Sequence, residues 1–227
     1  MVGQQYHFLL QQKESLTLDD FLPASSNEGA LRWLLQTQPS AWPSHAFLLW
    51  GPEASGKTHL GTVWATANKA RALACGDESL SLIVSGEDRA PAYFLDDAHK
   101  CAGQADKEEW LQHLFNATKT ANKPLLMTSM APPVQWGLKL PDILTRLKSC
   151  PSAELLGPDD ELMRGLLVKL FRDRQLLVDF AVVDYIAPRL ERTGRAAREL
   201  VAAIDAAALE GHRKISIPFV QKTMKWG

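Results

Sequence analysis

Apolar positions along the chain alternate between two rhythms. Largely apolar runs of strand length stand at 46–50 (Ala46, Phe47, Leu48, Leu49, Trp50), 80–84, 92–95 and 124–128. Such runs, bounded by Gly, Pro and Asp, suit strands covered on both faces. Between them the spacing lengthens to a helical period: Leu60, Val63, Trp64 and Ala67 within 58–69, then Trp110, Leu111, Leu114 and Phe115 within 108–120. Strands alternating with helices predict a parallel sheet with helices on both faces. Upstream, Ser25 and Glu28 read as a capping box that starts a helix carrying Leu31, Leu34 and Leu35. After a last short strand at 153–156 the pattern is helical only, over 159–175, 179–192 and 195–212, with Pro218 opening a final short helix. Leu162, Met163, Leu166, Leu167, Leu170 and Phe171 form one stripe, the mark of a small bundle's core. The fold class is therefore α/β, a parallel sheet flanked by helices, followed by a small all-helical domain.

The chain has 227 residues, 46% hydrophobic and 22% charged, enough for one α/β domain and a smaller one. No apolar run reaches bilayer length and the polar N-terminus does not resemble a signal peptide, so a soluble cytoplasmic protein is expected, with no membrane partner. Cys75, Cys101 and Cys150 are odd in number and widely spaced, which reads as free thiols rather than bridges or a zinc site. A net charge of -1 gives no general pull toward nucleic acid and disfavours direct duplex binding.

The densest chemistry lies at Gly51, Pro52, Glu53, Ala54, Ser55, Gly56, Lys57 and Thr58, a complete G-x-x-x-x-G-K-[ST] loop between a strand and a helix. Its glycines let main-chain N–H groups converge on phosphate, Lys57 reaches the β- and γ-phosphates, and Thr58 offers a hydroxyl to Mg²⁺. The implied ligand is a nucleoside polyphosphate. The run 92–95 delivers Asp96 and Asp97, a Walker B pair: Asp96 for the Mg²⁺ shell, Asp97 to orient attacking water. Adjacent carboxylates also cap helices. Thr128 and Ser129 end the neighbouring strand where a polar sensor of the γ-phosphate can stand. Arg146, in a turn-then-helix segment, suits a finger toward a neighbour's nucleotide, although by position alone it reads as a solvated helix arginine. Arg195 or Arg198, three apart at a helix start, can reach back over the phosphates.

Taken in order, Asp19-Asp20-Phe21, the 51–58 loop, Phe94-Leu95-Asp96-Asp97, Leu126 to Ser129, Leu140-Pro141-Asp142 through Arg146-Leu147, Arg198-Glu199-Leu200 and Ile217-Pro218-Phe219-Val220 resemble the DnaA-related AAA+ family. The resemblance runs from about residue 16 onward and is closest to the shortened Hda-type regulators of DnaA. It implies an arm at 1–17, an AAA+ nucleotide-binding domain at 18–157 and a helical lid at 158–227. It further implies ADP or ATP with Mg²⁺ as cofactors, His59 beside the loop, Phe21 on the base side, and Arg198 from the lid. By the same resemblance the protein sits on the DNA polymerase III sliding clamp and presents Arg146 in trans to ATP held by DnaA. Hydrolysis there prevents re-initiation, so the protein is a negative regulator of replication and an activator of another ATPase more than an efficient one itself.

Two positions depart from the family. The clamp-binding peptide has its best counterpart at Gln5 to Leu10, where Tyr6 and His7 are out of pattern, and Met130 stands where an Asp commonly follows the sensor pair. The chain ends at Gly227, so no helix-turn-helix and no sequence-specific DNA readout are expected. The alternative is a self-assembling AAA+ ATPase, a replication loader or motor, in which Arg146 completes the site of a second copy in a homo-oligomer. A small-molecule P-loop kinase fits less well, because no second arginine cluster follows the loop.

Overall fold

Burial of alternate residues on opposite faces of one sheet organises the first two thirds of the molecule. The computed structural model describes residues 27–36, 39–211 and 214–226. The 1–17 arm, the Gln5 to Leu10 peptide, Phe21 and Ser25 lie outside them. Strands β1 (Ala46–Trp50), β2 (Arg71–Leu73), β3 (Tyr93–Leu95), β4 (Leu125–Ser129) and β5 (Ser152–Glu154) form one sheet in the order β2-β3-β4-β1-β5. Every pairing is parallel, with Ala46 opposite Leu125 and Trp50 opposite Ser129 at the centre.

Ala46 and Leu48 join Leu95, Leu125 and Met127 in one core, under α3 (Leu80–Ser85), α4 (Ala105–Thr120) and α5 (Pro141–Ser149). Phe47 and Leu49 join Phe94, Leu126 and Leu155 in a second, under α1 (Glu28–Leu31) and α2 (Lys57–Ala67). This period-two division is why central strands read as continuous apolar runs. Gly61 lets α2 approach the sheet closely: a Cβ there would lie 2.5 Å from the Phe94 ring.

A third core belongs to the helical lid, α6 (Asp160–Asp173), α7 (Phe180–Ile186), α8 (Gly194–Gly211) and α9 (Ile217–Met224), around Met163, Leu167, Phe171, Val183, Ile186, Leu200, Val201 and Ile204. Asp159 caps α6 through the Leu162 N–H (2.8 Å) and Ser216 caps α9 through the Phe219 N–H. The linker between the two bodies is tight, for a Cβ on Gly157 would stand 3.1 Å from the Arg192 carbonyl oxygen.

Four expectations are corrected. Residues 80–84 form α3 rather than a strand: Asp77 accepts the Ser79 N–H (2.8 Å), Ser79 opens the turn, and Ile83 is buried while Leu82 and Val84 are exposed, a helical rather than alternating pattern. The second strand is instead Arg71–Leu73, with Arg71 and Ala72 exposed at the sheet edge. The helix expected over 179–192 stops at Ile186, because Pro188 has no N–H to continue it, and a 3₁₀ turn over Ala187–Arg189 follows. The first helix opens at Glu28 with Asn27 in the cap position, so Glu28 is its first residue and not its third.

The cysteines are the fourth. Cys75 and Cys101 form a disulfide, Cα atoms 5.6 Å apart, and Cys150 alone is free and buried. β2 and β3 are parallel neighbours, and each bonded cysteine lies beyond the C-terminal end of its strand. Topology thus joins residues 26 apart. Sequence spacing carries no trace of it. No helix of the described residues is long and apolar enough to cross a membrane.

Candidate functional site

The 51–58 loop leaves β1 at the carboxyl edge of the sheet and enters α2. The Gly51 N–H donates to Ser129 on β4 (3.2 Å), and a Cβ on Gly51 would run into the Leu155 carbonyl oxygen. Ala54 (φ 58°) and Gly56 (φ 100°) both lie in the left-handed region, which curls the chain around its own N–H groups. Gly56 occupies the cap position of α2 without any side-chain oxygen, which leaves the first-turn N–H groups open to an anion.

Lys57 is 6% exposed and its Nζ donates to the Pro52 carbonyl (2.6 Å) and toward Ser55 Oγ (3.4 Å). Burial holds its ammonium below the usual lysine value, while Asp97, Asp96 and Glu53 pull the other way. A partly desolvated cation inside a ring of main-chain donors suits a polyphosphate.

Thr58, Asp96 and Thr128 converge from three elements. Thr58 donates to both oxygens of Asp96 (3.2 and 2.9 Å). Thr128, fully buried, donates to Asp96 Oδ1 and accepts the Asp97 N–H (2.8 Å). One carboxylate beside one hydroxyl is a donor set that Mg²⁺ takes together with phosphate oxygens and water. The site thereby fits a magnesium nucleotide. Among the described residues no group of three His, Cys, Asp or Glu side chains forms a separate metal site.

Asp97 departs from a free water-orienting carboxylate. Its backbone sits in the left-handed region (φ 53°) and its Oδ2 is paired with Lys100 (2.6 Å). His99 stands beside this pair. Its Nδ1 is buried without a partner among the described residues, and burial chiefly lowers its pKa, with Asp97, Lys100, Lys57 and Asp96 all in electrostatic reach. Sequence reading passed over both Lys100 and His99. Ser129, expected as part of a sensor, instead donates to the Ala131 carbonyl (2.7 Å).

Arg146 lies on α5, half-buried, with Nε donating to Asp142 Oδ2 one turn earlier (2.9 Å). The same oxygen accepts Gln112 Nε2 from α4 (2.7 Å). One turn before Gln112, Glu108 is fully buried and accepts the N–H groups of Gly103 (2.7 Å), Lys139 (2.8 Å) and Leu140 (2.9 Å). It thus ties the segment after Asp96-Asp97 to the start of α5. Its sequence signal was available: Glu108, Leu111, Phe115 and Thr118 share one buried face of α4.

From the lid, Arg195 is exposed and held by Glu199 (2.8 Å); its pKa is raised mainly by that partner, with Glu191 and the loop's Glu53 contributing. Glu53 of the phosphate loop thus lies within electrostatic reach of the first turn of α8. Arg198 is exposed on the same turn, its Nη1 3.6 Å from where a Gly194 Cβ would stand. His59 is half-buried on the first turn of α2.

Comparison with known proteins gives one family-model match, confined to the C-terminal helices, and one fold. Residues 160–224 match the family model described as "Hda, lid domain". An uncharacterized protein of Haemophilus influenzae is 26% identical over 231 aligned positions, spanning 98% of this chain and 99% of that protein. Among solved structures, domain III of the Thermotoga maritima replication initiation protein DnaA aligns with a TM-score of 0.77 at 16% identity, over 93% of this chain and 96% of that one. AMPPCP-bound DnaA from Aquifex aeolicus gives 0.73 at 15% identity, over 93% and 69%. The Thermotoga maritima RuvB branch migration motor gives 0.68 at 18%, over 92% and 71%. These likenesses define an AAA+ fold with a C-terminal helical lid.

Proposed function

From the premise that the chain is a DnaA-related AAA+ protein close to Hda, we propose that it binds an adenine nucleotide and regulates replication initiation negatively. In this reading Gly51 to Thr58 with His59 hold the phosphates, Thr58 and Asp96 hold Mg²⁺, and Arg198 meets the nucleotide from the lid. The family resemblance assigns Phe21 to the base. The bound metal supplies charge neutralisation across the phosphates. With the DNA-loaded sliding clamp engaged through Gln5 to Leu10, the protein presents Arg146 to ATP on DnaA and promotes its hydrolysis.

The observation that carries this reading is an Hda-type lid at 160–224 joined to a complete phosphate-gripping site. Adenine specificity is supported by the AMPPCP bound in the Aquifex aeolicus DnaA structure. The regulator reading is favoured over a self-assembling loader or motor by the Asp97–Lys100 pair and by Met130, which leave the chain's own hydrolytic apparatus engaged or incomplete.

The test is hydrolysis of ATP by DnaA in the presence of this chain, clamp and DNA, with wild type and Arg146→Ala. Stimulation that depends on Arg146, with ADP retained by the purified protein, is the expected result. Turnover by the isolated chain that climbs with its own concentration would instead establish the motor.

A further inference from the structure

We infer that Asp142 and Gln112 are positioning residues for Arg146, so that the guanidinium is aimed before any partner arrives. This rests on the finger role proposed above. An (i, i+4) Arg–Asp pair on an exposed helix is ordinarily a weak and mobile contact. Here it is not alone. The oxygen that accepts Arg146 Nε, Asp142 Oδ2, also accepts Gln112 Nε2 from a different helix, so the carboxylate is fixed from outside α5.

The helix itself is fixed by two further means. Glu108, one turn before Gln112 on α4, takes the N–H groups of Lys139 and Leu140 that lead into α5. Ile143 and Leu147, at 0% and 1% exposure, bury the inner face of α5 in the core shared with Leu111 and Leu114. α4 is thus a platform that sets both the helix and its arginine.

The geometry chooses which donors are spent. Nε is engaged, whereas Nη1 and Nη2 make no hydrogen bond to a described residue. Those two form the outer edge of the guanidinium fork, the edge that matches two oxygens of a phosphoryl group. Holding the stem through Nε removes rotamer freedom from a long side chain before docking, and leaves the phosphate-facing donors available.

The experiment uses the full chain with ATP-loaded DnaA, clamp and DNA, and reads the maximal stimulated rate and the concentration for half-maximal stimulation separately. Asp142 is exposed, so Asp142→Ala should fold, with a melting temperature near that of wild type. It should lower the maximal rate about 10-fold, and Gln112→Ala about 3-fold, with half-saturation unchanged within about 2-fold, since misplacement of a catalytic group acts on the rate. In an Arg146→Ala background neither substitution should cost anything more, an outcome that a merely structural role would not give.

Full stimulation by Asp142→Ala, or equal losses with and without Arg146, overturns the inference while leaving the finger in place. If Arg146→Ala itself stimulates like wild type, the finger falls and the inference falls with it.

Discussion

Thr128 donates its hydroxyl to Asp96 and, through the same oxygen, accepts the main-chain N–H of Asp97 at 2.8 Å. This one hydroxyl near the end of β4 therefore fixes both the carboxylate beside Thr58 and the left-handed residue after it. Thr128→Val keeps the shape but leaves the Asp97 N–H unpaired and removes a donor from Asp96. We expect it to destabilise the protein by about 1–3 kcal/mol. Urea midpoints of the two proteins check this, with Thr128→Ser expected to stay near wild type; a valine variant as stable as the parent would mean that the shared hydroxyl contributes nothing.

Lys57 should matter for binding. Its ammonium is nearly inaccessible and points into the loop toward the Pro52 carbonyl, which a phosphate oxygen can replace as its acceptor. A charge-assisted hydrogen bond of this kind contributes about 1.5–3 kcal/mol, so Lys57→Ala should weaken ADP binding by about 10- to 100-fold. Calorimetric titration with ADP measures it directly. Equal affinity in the two proteins would place the phosphates elsewhere.

What could be read from the sequence follows physical rules. β1, β3 and β4 announced themselves because strands covered on both faces have no polar alternation, and the phosphate loop did so because its backbone tolerates few residue types. β2 stayed hidden because an edge strand with exposed Arg71 and Ala72 looks like a loop, and α3 looked like a strand because a six-residue helix shows too little of its period. Side-chain partnerships across elements were beyond reach. Nothing in the spacing says that Gln112 meets Asp142 or that Cys75 meets Cys101.

That last pairing can be counted. In denaturant without reductant one thiol, Cys150, should react per chain, and three after reduction. Closing 26 residues restricts the unfolded chain, and by the loop-entropy relation contributes about 3.5 kcal/mol. Cys75→Ser should therefore lower the unfolding midpoint, as should reductant on the wild type. Three reactive thiols in the unreduced protein would remove the bridge and its stabilisation together.

His45 should impose a pH dependence on stability. It packs edge-on against Phe115, with its ring 5.2 Å from that centroid, and burial, with Lys119 adding to it, lowers its pKa to about 4 from 6.5. Because the folded pKa is the lower one, the unfolded chain binds the extra proton between these values, and stability falls as pH drops from 6.5 toward 4. At pH 5 the linkage relation sets a ceiling of about 2 kcal/mol on the loss relative to neutral pH, which solvent screening at this half-buried ring reduces to about 1 kcal/mol. Above 6.5 the imidazole is neutral in both states and this slope vanishes. Urea midpoints at pH 7 and pH 5 should differ by that amount for the wild type, and by much less for His45→Gln, whose amide carries no proton to bind; an identical pH response in the two proteins would assign the acid sensitivity to other groups.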